Sequence, residues 1–151
     1  MEHFSNINDI LDFAIKAEQD AVDFYTELSK QAANADMAAV FHQFAREEMG
    51  HKSRLMRIRE EGLIRLERTH VSDLRISDYV ADVQPHPGMS YREALVVAMK
   101  REKAAFKLYL NLSDKVDAPE MKQLFLSLAQ EESKHKLRFE LEYDEIVLKE
   151  N

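Results

Sequence analysis

The sequence predicts an all-α protein, a four-helix bundle of two repeated antiparallel helical hairpins joined by a long crossover. Three features of the chain point there. Apolar residues recur every three or four positions through four stretches, about 7–32, 36–61, 91–116 and 118–148, each far too long for a strand. The 151 residues hold only three Gly and three Pro, and are rich in helix formers such as Ala, Leu, Glu and Lys. The second hairpin repeats the first at a displacement of 84 residues, as Glu18 and Glu102 illustrate.

The first helix, 7–32, is set by periodicity alone. Asp36 is expected to cap the second, 36–61, and Gly62 to end it. Ser90 with Glu93 forms a capping box for the third, and Pro119, after Asp117 and Ala118, suits the first turn of the fourth. The connections near 33–35 and around 117 are short enough to force antiparallel pairs. Residues 63–89, with His70, Pro85, Pro87 and Gly88, lack sustained periodicity, although 71–83 suits a short helix. Extended, this crossover could reach on the order of 80 Å, ample to run along the bundle and start a second hairpin. A single domain covering 1–151 is expected from the length.

In the repeat, Ala14, Glu18, Ala21, Tyr25, Leu28 and Ser29 match Ala98, Glu102, Ala105, Tyr109, Leu112 and Ser113. Met37, Phe41, Ala45, Glu47, Glu48, His51 and Lys52 match Met121, Phe125, Ala129, Glu131, Glu132, His135 and Lys136. A pseudo-two-fold bundle follows.

Composition narrows the function. Without cysteine there is no disulfide, thiolate metal site, iron–sulfur cluster or cysteine nucleophile on these residues, which suits a reducing, cytoplasmic setting. A formal charge of -7, with Lys and Arg mixed among acids, opposes binding to nucleic acid or an anionic membrane. No basic leader with an apolar core opens the chain, and no apolar run approaches the length of a membrane span.

The chemistry lies on the inward seams. The first helix presents Leu11, Ala14, Glu18, Ala21, Tyr25 and Leu28, and the third Leu95, Ala98, Glu102, Ala105, Tyr109 and Leu112, so one glutamate interrupts each apolar stripe. The second gives Phe41, Phe44, Glu48, His51, Leu55 and Ile58, and the fourth Phe125, Leu128, Glu132, His135 and Phe139. There a carboxylate and an imidazole sit three residues apart on one face. Glu18 and Glu48 lie roughly 24 and 21 Å along their helices from the turn at Asn34, at 1.5 Å per residue, so they meet at mid-bundle, as do Glu102 and Glu132.

Four carboxylates in a core would cost several kcal/mol each unless compensated. Two divalent cations would balance them, with the imidazoles completing the coordination, as in dinuclear carboxylate bundles. The expected metal ligands are therefore Glu18, Glu48, His51, Glu102, Glu132 and His135. Alanines 14, 21, 98 and 105 leave room beside the metals, and the hydroxyls of Tyr25 and Tyr109 are placed to hydrogen-bond the ligating carboxylates. Glu47 and Glu131 flank the seam and suit solvent or contact with a ligand better than ligation. His3, His42, His70 and His86 are expected at the surface.

Glu-x-x-Ala-x-x-x-Tyr and Glu-x-x-His, each occurring twice in order, resemble the ferritin-like diiron carboxylate proteins, and most closely the rubrerythrin group. The resemblance implies two iron ions per chain, bridged by Glu48 and Glu132, with Glu18 and Glu102 as terminal carboxylates and His51 and His135 each capping one iron. Manganese or zinc are substitutes that such ligands accept. It also implies an oxidoreductase that reduces hydrogen peroxide or dioxygen. The chain departs from full rubrerythrins in having no cysteines for a rubredoxin domain, so electrons would come from an external electron-transfer protein or reductase. A further departure is Ala105, where typical rubrerythrins carry another glutamate. The alternatives are a ferroxidase that handles iron, or a bundle in which metal only stabilises the fold. A homodimer is expected in preference to a cage.

Overall fold

The computed structural model describes residues 3–63 and 74–150. Four long helices make up the frame: α1 Ile7–Gln31, α2 Ala35–Glu61, α3 Tyr91–Lys115 and α4 Pro119–Glu150. α1 packs along α2 and α3 along α4, and the two hairpins meet chiefly through α1 and α3. His70 and positions 71–73 lie outside the described residues. Within 74–83 the structure has one 3₁₀ turn, Ile76–Tyr79, in place of the expected helix.

Local chemistry explains the helix ends. Asn6 caps α1 by accepting from the Asp9 amide at 3.0 Å. The second helix starts one residue earlier than its periodicity indicates, because the cap is Asn34, whose side chain accepts from the Met37 amide at 2.9 Å. Asp36 lies inside the first turn, where its charge meets the positive end of the helix dipole. Gly62 ends α2 in the left-handed region at φ 59°. At α3 the Ser90 hydroxyl accepts from the Glu93 amide while the Glu93 carboxylate accepts from the Ser90 amide, at 3.1 and 3.2 Å.

The core divides into two apolar plugs with a polar layer between. One end is packed by Ile7, Ile10, Leu11, Leu55, Ile58, Leu112 and Phe125, and the other by Phe24, Leu28, Met37, Phe41, Leu95 and Phe139. The end of the crossover is pinned to the first plug. Phe4 donates its amide to the Leu74 carbonyl at 3.2 Å, Phe4 and Tyr79 are buried, and the Tyr79 hydroxyl accepts from Asn111 at 2.8 Å. Lys100 and Asp82, 3.2 Å apart, tie the same segment to α3. Among the described residues no helix is long and apolar enough to cross a membrane.

Candidate metal centre

Between the plugs, each helix contributes its seam glutamate, and α2 and α4 add a histidine one turn on. All six residues are buried, with exposures of 1–3 %. Two groups of donor atoms result: Glu18, Glu48, His51 and Glu132 form one, and Glu48, Glu102, Glu132 and His135 the other, the atoms of each within 4.8 Å of one another. Glu48 and Glu132 belong to both groups, which is the position of a bridge. Glu18 with His51, and Glu102 with His135, belong to one each.

The unsatisfied atoms mark where the charge is missing. Six buried side-chain atoms among the described residues have no hydrogen-bond partner, and they come one from each of these residues: Glu18 Oε2, Glu48 Oε1, His51 Nδ1, Glu102 Oε2, Glu132 Oε1 and His135 Nδ1. Buried polar atoms are ordinarily paired, so six orphans facing a common centre call for compensation, by cations or by bound protons. Nδ1 of His51 lies 2.8 Å from Glu132 Oε1, and that of His135 3.0 Å from Glu48 Oε1, close but not aligned as hydrogen bonds. Oxygen and imidazole donors of this kind fit two divalent ions.

The outer atoms of Glu18, Glu102, His51 and His135 are each held by the opposite hairpin. Tyr25 donates to Glu102 Oε1, and Tyr109 to Glu18 Oε1. The outer ring nitrogen of His135 pairs with Glu47 at 2.8 Å, and that of His51 with Glu131. A carboxylate only accepts, so Nε2 carries a proton in each ring, and once Nδ1 gives up its own proton to a metal its lone pair faces inward, as a ligand must. Each of these pairs maps onto the other under the 84-residue repeat. The stacking does not: Phe44 lies against the His135 ring at 4.0 Å, whereas the repeat has Leu128 in that place.

Without metal the cluster holds protons instead. Burial, then the charges of Glu132, Glu102 and Glu18, push Glu48 well above the usual carboxylate range. Burial, then Glu102 and Glu18, do the same to Glu132. Burial opposes charge on the histidines, but the surrounding carboxylates prevail, raising His51 and taking His135 to about 11. Burial would raise Glu18 too, yet His51, Glu48 and Tyr109 bring it below its ordinary value. Burial and the carboxylates raise both tyrosines, which stay protonated and can donate.

A crevice of about 300 Å³ leads from solvent to the four glutamates. It runs between α1 and α3, walled by Phe13, Ala17, Ala21, Ala104, Ala105 and Leu108, with Tyr79, Val80 and Ala81 of the crossover alongside. The histidines do not line it. Ala105, which matches Ala21 in the repeat, is part of this wall.

Sequence reasoning placed Glu47 and Glu131 at the seam's flank and missed that each serves the histidine of the other hairpin. The signal was their matched place in the repeat. It also missed Glu142, which is buried and accepts from the Tyr91 hydroxyl at 2.8 Å, away from the cluster. His3, His42 and His86 are exposed, and His86 pairs with Glu93 at 3.0 Å.

The fold and this acidic, imidazole-flanked layer define the class of helical bundle that holds metal between facing helices. The rubrerythrin family model matches residues 9–81 and 93–151, and the chain belongs to the rubrerythrin family. It is similar in structure to a Thermotoga maritima protein described as a candidate ferritin-like diiron-carboxylate protein, with a TM-score of 0.78 at 21% identity over 96% of this chain and 99% of that one. A hypothetical protein from Pyrococcus furiosus aligns with a TM-score of 0.70 at 25% identity, over 89% of this chain and 86% of that one. No curated protein matches.

Proposed function

We propose that the chain binds two iron ions in this layer and reduces hydrogen peroxide or dioxygen with electrons from a separate donor. The observation that carries the reading is the set of six orphaned donor atoms, arranged as two groups sharing Glu48 and Glu132. Family membership and the diiron-carboxylate description of the Thermotoga structure support iron as the metal.

Glu48 and Glu132 would bridge the ions, Glu18 and Glu102 would bind one each, and His51 and His135 would cap them. Bound iron would supply both the electrons and the Lewis acidity for cleaving an oxygen–oxygen bond. The protein's own groups do the rest. Glu47 and Glu131 keep both rings in the tautomer that points Nδ1 inward. Tyr25 and Tyr109 hold a proton against Glu102 and Glu18 on the side where the crevice opens. Phe41, Phe44 and Phe139, packed ring to ring, shut water out from one end. No thiolate redox centre can form on these residues, so electrons arrive from another protein or a reductant.

Elemental analysis of anaerobically purified protein tests the metal, with about two irons per chain expected and little in a Glu48→Ala, Glu132→Ala double variant. Stopped-flow oxidation of the iron(II) protein then tests the activity. Oxidation by peroxide or oxygen no faster than that of free iron(II) would sink the reading. Retention of many irons per chain would favour iron storage in its place.

A further inference from the structure

We infer that the crevice between α1 and α3 admits an organic hydroperoxide, so that the substrate class of the centre extends beyond hydrogen peroxide, an inference that rests on the peroxide reading above. The crevice is far larger than hydrogen peroxide needs. A water molecule's share of liquid volume is about 30 Å³, so a cavity of about 300 Å³ has room for roughly ten. Two ions, each with a water, would still leave most of it free. That volume is at the lower end of the range of pockets that enclose small organic molecules, about 300–1,000 Å³.

The lining has the chemistry of an apolar guest. Four alanines line it, Ala21, Ala104 and Ala105 inside and Ala17 exposed at the mouth, where larger side chains would narrow the gap, and Phe13 and Leu108 complete an apolar wall. Of the polar groups lining it, the Tyr25 and Tyr109 hydroxyls are already committed to Glu102 and Glu18. Lys16 and Gln84 are exposed, with Lys16 turned to Asp20 at 3.1 Å, and the Arg101 guanidinium lies over the Phe24 ring at 5.1 Å. Water gains little from such walls, whereas a hydrocarbon tail gains burial. The floor is the four carboxylates, so a tail lying along the alanines brings a terminal –OOH group to the metal layer.

The reaction balances as ROOH + 2 e⁻ + 2 H⁺ → ROH + H₂O. The oxygen–oxygen bond breaks, one oxygen stays on carbon as the alcohol and the other leaves as water. The two electrons come from the same external donor that the peroxide reaction uses.

Cumene hydroperoxide is the test substrate, and its product alcohol, 2-phenyl-2-propanol, is the binding probe. The alcohol is titrated onto zinc-loaded protein and followed through ¹³C-labelled alanine methyls. Saturable shifts at alanines 17, 21, 104 and 105 are expected. With iron-loaded protein, the ratio of kcat/KM for cumene hydroperoxide to that for hydrogen peroxide should fall at least about tenfold in Ala17→Leu and Ala104→Leu, the discrimination a few carbons make in an apolar pocket. Hydrogen peroxide turnover with no cumene hydroperoxide turnover and no saturable shift would overturn the inference and leave the peroxide reading standing. If hydrogen peroxide is inert as well, that reading falls and this one with it.

Discussion

At the scale of single residues, the centre is governed by what each side chain does with its second polar atom. Glu102 and Glu18 each give one oxygen to a tyrosine of the other hairpin and keep one unpaired. Tyr25→Phe removes the donor to Glu102 and leaves a buried carboxylate oxygen bare. A loss of about 1.5–3 kcal/mol is expected for the metal-free protein, the range for hydrogen bonds to charged groups, as read by urea denaturation. Glu131→Ala acts across the hairpins: it frees the His51 ring, so the weakened ion should be the one beside Glu18. Calorimetric zinc titration should show one of two sites weakened about 10–100-fold, with His51 and not His135 shifted in the imidazole ¹⁵N spectrum. Had the pairing been within a helix, from Glu47 to His51, the Glu47→Ala variant would give that result instead.

At the scale of elements, capping decides where the helices start and so the height at which each ligand stands. The four helices were legible because their seams carry unbroken three- and four-residue spacing, and the Ser90–Glu93 box was legible as a local motif. The start of α2 was not, since Asp36 and Asn34 are both good caps by type, and only the extended backbone at Asn34, φ -157°, sets which is used. Asn34→Ala is expected to cost about 1 kcal/mol, and Asp36→Ala less. Gly62→Ala is expected to cost about 1 kcal/mol through backbone strain alone, because φ is 59° while the space around the site is open. Urea midpoints at constant slope would check all three.

At the scale of the whole molecule, metal and protons compete for one charged layer. Glu48, Glu132, His51 and His135 bind protons more tightly when folded than unfolded. Their contribution to stability is therefore full below the unfolded values, 4.5 for Glu and 6.5 for His, and is lost as pH rises through the folded values, for His135 about 11. Glu18 has the opposite sign, its contribution fading as pH falls below 4.5. The metal-free protein should thus melt at a lower temperature at pH 9 than at pH 6. Metal requires the deprotonated ligands, so zinc should bind more tightly at pH 9 and release protons on binding at pH 6. At a hundredfold excess over Kd each ion adds about 2.7 kcal/mol. A metal-free melting temperature that rises from pH 6 to pH 9 would contradict this account of the layer.

The sequence by itself determined the helices, the duplicated hairpin and the gathering of Glu18, Glu48, His51, Glu102, Glu132 and His135 at one height, because helical periodicity and short turns convert spacing directly into face and level. Tertiary structure decided who holds whom. The crossed pairs of Tyr25 with Glu102, Tyr109 with Glu18, His51 with Glu131 and His135 with Glu47 depend on how one hairpin rotates against the other. The crevice is of the same kind: four alanines on two helices are only small residues until α1 and α3 face each other, and then the missing volume becomes a path to the carboxylates. Periodicity acts along one helix, whereas pairing and empty space are properties of the distance between helices, which no single stretch of chain encodes.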